Sequence, residues 1–298
     1  MFQTNGWFRS TGIVAIIGLT LTTTGCFKTK LGSSGDVNST SSPAESAVAT
    51  LNSLANDSEA LNFDAQFESG TCKASAAKSA CNALNQINVK WSDCTGSNGQ
   101  TLSGGWTNTY SDTRACMTAQ NGRLASGDSM TRTSDGMVIK GIYGGTIMWS
   151  TNRHVTYDNK SISNAGLSIN RFGETRSIIL NGLHRILQDG NGNTVYDHSI
   201  VSEGAIIMSG QRQNGTRMVS SGTVRVYNNT DKFSSDHSFN GVQWKNANCA
   251  FPTAGAISSS FSGSMNGFTT LTFQSTCGEA TLTTTNGKTE TITLKQAE

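Results

Sequence analysis

Cysteines and histidines are the side chains of this 298-residue chain with the most chemistry in them. Once Cys26 is set apart, Cys72, Cys81, Cys94, Cys116, Cys249 and Cys277 form an even set, which in an exported chain reads as disulfides. Cys249 and Cys277 lie well over a hundred residues beyond the others, so they are expected to bond to each other and the remaining four among themselves. No C-x-x-C spacing points to a metal, and nothing marks one cysteine as a nucleophile. Among the histidines, His154, His184, His198 and His237, a hairpin centred on Asn191 would set Arg185 opposite Asp197 and His184 opposite His198. The first is a cross-strand ion pair; the second is an imidazole pair with no third ligand, expected on a solvated face. Asp189, Asn191, Asn193 and Asp197 place oxygens at alternate positions, as a calcium loop begins. Thr194 stands where such a loop has Gly and Ile200 where it has Glu, and a hairpin turn of these residues needs no ion. No metal or other free cofactor is expected.

For hydrolysis, Asp197–His198, Asp236–His237 and His154 with Asp158 put acids near histidines. No G-x-S-x-G elbow, H-E-x-x-H or P-loop accompanies them, and a serine-rich chain produces such neighbours freely. The expectation is a protein that is not an enzyme. A glycan-active hydrolase, built on two carboxylates from distant strands, is one alternative.

The elements that position these residues are β-strands. The chain has 32 Gly, 2 Pro and only 14 % charged residues, with Ser, Thr and Asn in their place. With 22 Lys+Arg against 20 Asp+Glu, it has no block of positive charge to grip a nucleic acid. From Ile87 onward, Asn-Gly pairs at Asn98, Asn121, Asn181, Asn191, Asn214, Asn240, Asn266 and Asn286, and Asp-Gly at Asp135 and Asp189, signal hairpins between alternating segments such as Thr223–Tyr227. The fold expected is all-β: a large antiparallel meander forming a twisted sandwich or open barrel. One amphipathic N-terminal helix is expected to start at Ser42-Pro43-Ala44-Glu45 and carry Ala47, Val48, Leu51, Leu54 and Ala55. Lys73 to Leu84 reads as a second, short helix. The domain would span 42–298, with a sub-boundary near 120 as an alternative. Trp91, Trp106, Trp149, Trp244, Tyr110, Tyr143, Tyr157, Tyr196 and Tyr227 fall in or near strands and are expected in the core. The outer face is then left to Thr, Ser and Asn, which suits weak contact with polysaccharide.

The beginning of the chain supplies an address. Arg9 precedes the apolar run Ile13 to Leu21, too short to span a bilayer, and the run closes on Thr22-Thr23-Thr24-Gly25-Cys26. This resembles the lipobox of bacterial lipoproteins, with Thr23 where that family usually has Leu. The resemblance implies a signal peptide over 1–25, cleavage before Cys26 and acylation of its sulfur and amino group. Residues 26–41, Ser/Gly-rich, would follow as a flexible tether. Phe27 in place of the Asp that retains many lipoproteins at the inner membrane implies lipid anchorage at the outer membrane, its face left open. The C-terminal stretch Cys249-Ala250-Phe251-Pro252-Thr253-Ala254-Gly255, then Thr272 to Gly278, then Asn286-Gly287-Lys288-Thr289, resembles the tail of uncharacterised β-rich bacterial lipoproteins. The reading that results is a lipid-anchored envelope protein with a binding or structural role, in contact with glycans, cells or envelope proteins. A periplasm-facing carrier of lipid or lipoprotein is the other alternative.

Overall fold

The computed structural model describes residues 35–36 and 77–294, apart from 96–100, 121–123, 141–145, 151–154, 158–159, 163–165, 189–190, 212–213 and 250. The leader, Cys26, the expected helix beginning at Ser42 and Cys72 lie outside the described residues, as does all of the expected tether except two residues. Those two form β1 (Gly35–Asp36), and β2 (Ala77–Lys78) is equally short. A meander of β3 (Gln86–Thr95), β4 (Thr101–Tyr110) and β5 (Ser129–Lys140) follows, with α1 (Thr113–Gln120) inserted before β5. Next come β6 (Thr146–Ser150), the separate hairpin of β7 (Val155–Tyr157) and β8 (Lys160–Ile162), and β9 (Gly166–Phe172). β10 (Thr175–Gln188) is long enough for β9 and β6 to share one of its edges, while β12 (Ile206–Ser209) and β11 (Thr194–Ser202) share the other. In the same way β13 (Arg217–Ser221) and β14 (Thr223–Asn228) both pair with β15 (Phe233–Trp244). The chain then runs as a plain meander through β16 (Ala254–Gly263), β17 (Met265–Phe273), β18 (Glu279–Thr284) and β19 (Thr289–Thr293).

All but the β7–β8 hairpin join one 17-stranded sheet, and every pairing is antiparallel except the two-residue contact of β1 with β17. Period-two alternation explains the core. Ile87, Val89 and Trp91 on β3, Ile257 on β16, Leu271 and Phe273 on β17, and Ala280 and Leu282 on β18 all turn to one face. With Trp106, Trp244 and Leu294 they belong to a single continuous cluster. Trp91 and Trp106 meet edge to face at 4.7 Å, and the Arg132 guanidinium lies 4.4 Å over the Trp106 ring. The β4–β5 ladder runs from Thr101↔Lys140 to Tyr110↔Met130, with a register shift between Ser103 and Gly105.

Three local expectations are corrected. First, Ala77–Lys78 pairs with Val89 and Lys90 instead of helping to form a helix over Lys73 to Leu84. Asn82 Oδ1 accepts hydrogen bonds from the Leu84 and Gln86 amides at 2.9 Å, closing a turn that competes with helix. A helix forms instead at Thr113–Gln120, capped by Asp112 Oδ1 on the Ala115 amide at 2.7 Å. Second, not every Asn-Gly pair is a hairpin: Asn181, Asn240 and Asn266 sit inside β10, β15 and β17. At Gly241 (φ 57°) the β15–β16 register shifts, and a Cβ on facing Gly255 would lie 2.2 Å from Gly241 O, so the glycines allow a bulge and a close backbone approach. Third, the turn at Asn191 carries a bulge of its own, with consequences described below.

The disulfides follow the sequence more closely. Cys249 bonds to Cys277, the pair set apart by spacing, and Cys81 bonds to Cys116, fastening α1 beside β3. Cys94 is also disulfide-bonded, to a partner outside the described residues.

Candidate functional site

Strands β14 to β19 turn a continuous hydroxyl-rich face away from the core. Because each strand alternates, in-register residues form rows across the sheet. One row runs Thr223–Ser238–Ser258–Thr270–Thr283–Thr289 across six strands, with a hydroxyl at every position. Beside it runs Asn240–Ala256–Thr272–Thr281–Thr291. On the other side lies Arg225–Asp236–Ser260–Phe268. Thr223 and Ser238 hydrogen-bond to each other at 2.9 Å, and Gln274 Nε2 donates to Thr281 Oγ1 at 3.0 Å. Ser258 and Thr289 are exposed, and Thr270 and Thr283 are half-buried. Phe268, 50 % exposed, is an exposed aromatic ring of this face, where Tyr227 is buried against Val201; Trp91, Trp106, Tyr110 and Trp244 are buried in the core as expected.

The charged groups beside these rows are Arg225, Asp236 and Glu203, one cation against two carboxylates, with Glu279 further along the outward face of β18. Arg225 Nε and Nη2 donate to the two Asp236 carboxylate oxygens at 2.6 Å each, and Nη2 also meets Glu203 Oε1 at 2.7 Å. The hydrogen bonds to Asp236 are the largest cause of an Arg225 pKa above its ordinary value; partial burial opposes them, and Tyr227 and Glu203 add to them. Two carboxylates thus share one guanidinium on an open face. Sequence spacing missed this pair because Arg225 and Asp236 are brought together by the β14–β15 register.

The β10–β11 hairpin departs from the expected register by one residue. Gln188 pairs with Thr194 but Leu187 with Tyr196, so a bulge sits beside the turn. Consequently His198 lies opposite Arg185, Ser199 opposite His184, and Asp197 opposite Ile186. A slip of one residue exchanges the faces of every side chain beyond it. The expected Arg185–Asp197 and His184–His198 pairs are therefore replaced by a diagonal contact. His184 Nε2, 2 % exposed as a residue, donates to Asp197 Oδ1 at 2.7 Å, and Asn229 Nδ2 donates to the same oxygen at 2.8 Å and to Ser199 Oγ at 3.2 Å. Asp197 is committed there, on the strand, while Asn191 and Asn193 are exposed at the turn and Asp189 lies outside the described residues. No cluster of three or more His, Cys, Asp or Glu suited to a metal occurs among the described residues.

The remaining acid–histidine neighbours are likewise separated by alternation. Asp236 faces outward and His237 inward; His154 and Asp158 lie outside the described residues. His237 is 1 % exposed, its Nε2 at 2.8 Å from Ser235 Oγ and its Nδ1 at 2.8 Å from Ser259 Oγ. Burial among apolar neighbours lowers its pKa to about 4, and the Asp236 charge offsets only part of that. Phe261 meets the imidazole edge on at 6.3 Å.

No family model, curated protein or solved structure matches this chain. No helix among the described residues is long and apolar enough to cross a membrane.

Proposed function

We propose that this chain is a lipid-anchored protein of the outer membrane, without enzymatic activity, whose hydroxyl-rich sheet face makes contact with neutral glycans. The observation that carries this reading is the in-register row from Thr223 to Thr289, flanked by an exposed Phe268 and by an Arg225 already paired with Asp236 and Glu203. A hydroxyl both donates and accepts, as a sugar hydroxyl does, so such a surface complements an uncharged carbohydrate without demanding a fixed polarity. The other sheet face carries Trp91, Trp106 and Trp244 in its buried cluster, which supports a filled, curled sheet of open-barrel type rather than a carrier's cavity. Disulfides agree with export, and with Cys26 acylated, Cys72 is left as the partner of Cys94.

The anchor is tested by fractionating cells that carry the full chain or its Cys26→Ala variant, with protease shaving of intact and lysed cells alongside. The expected result is membrane-bound wild type, digested from outside on intact cells, and a variant released to the soluble fraction. An acyl anchor contributes about 0.8 kcal/mol per buried CH₂, so its loss should be unmistakable. A Cys26→Ala chain that stays with the membrane would end the lipoprotein reading. Protection until lysis would turn the glycan face toward the periplasm.

A further inference from the structure

Resting on the glycan-contact reading, we infer that the ligand is a linear, uncharged and flexible polysaccharide laid along the Thr223–Ser238–Ser258–Thr270–Thr283–Thr289 row, crossing the strands rather than following one of them, with Phe268 stacked on a sugar ring beside it. Three features of the face select this class. The first is length. Five steps between six strands, at ~4.8 Å each, make a track of roughly 24 Å, enough for about five sugar units and far more than a terminal sugar can use.

The second is charge. No position in this row or in the Asn240–Thr291 row is ionisable, and Arg225, the cation of the adjoining row, is already shared by Asp236 and Glu203. The surplus of carboxylate over guanidinium there disfavours an anionic polymer, and with no ionisable side chain within the two rows a cationic one finds no partner along the track itself. The third is shape. Adjacent strands in a sheet rotate by about 20–25°, so the two ends of the row are turned by roughly 100° relative to each other. A rigid planar lattice, such as crystalline polysaccharide or ice, would touch only two or three strands of it. A single flexible chain can follow the twist and meet every hydroxyl. Each such contact is weak when it replaces a bond to water, so affinity must accumulate along the chain.

The Phe268 ring stands at one margin of the row, opposite Ser260 and two residues before Thr270 on the same outward face. A ring exposed there offers the flat apolar surface that the C–H face of a pyranose covers, while the neighbouring hydroxyls take the equatorial edge.

The test is binding of the full chain, purified in detergent, to neutral linear oligomers of glucose, N-acetylglucosamine and mannose, from disaccharide to hexasaccharide. Polygalacturonate, microcrystalline cellulose and whole-cell envelope polysaccharide serve as contrasts. Variants are Thr270→Val with Thr283→Val, which keep shape and β-branching but remove two hydroxyls mid-row, and Phe268→Ala. The expected result is affinity for one of the neutral series that rises at least about tenfold from disaccharide to hexasaccharide. The double Val variant should lose about tenfold on the hexasaccharide and flatten the length dependence, with its thermal midpoint kept near wild type. Phe268→Ala should weaken all lengths together. Equal affinity for short and long oligomers, preference for polygalacturonate or cellulose, or indifference to the Val pair would overturn the linear-track inference and leave glycan contact standing. Absence of binding to every glycan, envelope polysaccharide included, would overturn the glycan reading itself.

Discussion

Replacing Trp244 with Ala is expected to destabilise the full chain by about 3–5 kcal/mol, the usual range for removing a large buried ring. Trp244 is fully buried near the end of β15, opposite Arg217 on β13, whose guanidinium carbon lies 5.0 Å from the ring centroid. The loss has two parts. A cavity opens where the indole met the surrounding core, and Arg217, 3 % exposed, loses the aromatic face beside its charge. A desolvated cation–π contact contributes about 2 kcal/mol or more. Trp244→Phe keeps a ring and should cost clearly less. Urea unfolding of the three proteins measures both effects. Equal stability of the Ala variant and wild type would mean that the β13–β15 end of the sheet does not contribute to the cooperative core.

A fall in stability on acidification, carried by His237, is the second large effect expected. The group is fully buried and its folded pKa is lowered to about 4 against an ordinary 6.5. Above 6.5 the imidazole is neutral in both states and its titration changes nothing. As the pH falls from 6.5 to about 4, the unfolded chain takes up a proton that the folded chain refuses, and unfolding is favoured progressively. The full penalty is ~3 kcal/mol, since each pKa unit is worth about 1.4 kcal/mol. Below about 4 the folded state binds the proton too, and the penalty grows no further. His237→Gln retains a polar group between Ser235 and Ser259 but cannot titrate. The stability of wild type relative to this variant should therefore drop by ~3 kcal/mol across that window. A difference that stays constant with pH would show that His237 is not the group responsible.

Much of the architecture was legible from alternation and turn residues alone. Thr223–Tyr227 reads as a strand and lies within β14, and Asn286-Gly287 stands at the turn joining β18 to β19. Cys249 and Cys277 were legible as a pair because they stand alone in the second half of the chain. The outward face was legible in kind, Ser and Thr where the core is not, and the burial of Trp91, Trp106 and Trp244 left it to them. Less was legible of the site. His184 with Asp197 and Arg225 with Asp236 are separated by 13 and 11 positions, and no motif joins them.

What the sequence by itself determined is therefore which residues turn inward and which outward within each strand, because that choice has a period of two and depends only on neighbours along the chain. It also determined an antiparallel architecture, since short turns cannot join parallel strands. The tertiary structure alone decided register. A bulge of one residue beside Asn191 sent Asp197 to His184 instead of Arg185, and the Gly241–Gly255 approach bent β15 where the sequence reads like a hairpin. Register is set by pairing between segments far apart in sequence and by the fit of their buried faces, and a single inserted residue reverses every side chain beyond it. The Thr223–Thr289 row exists only because five such registers fall into line.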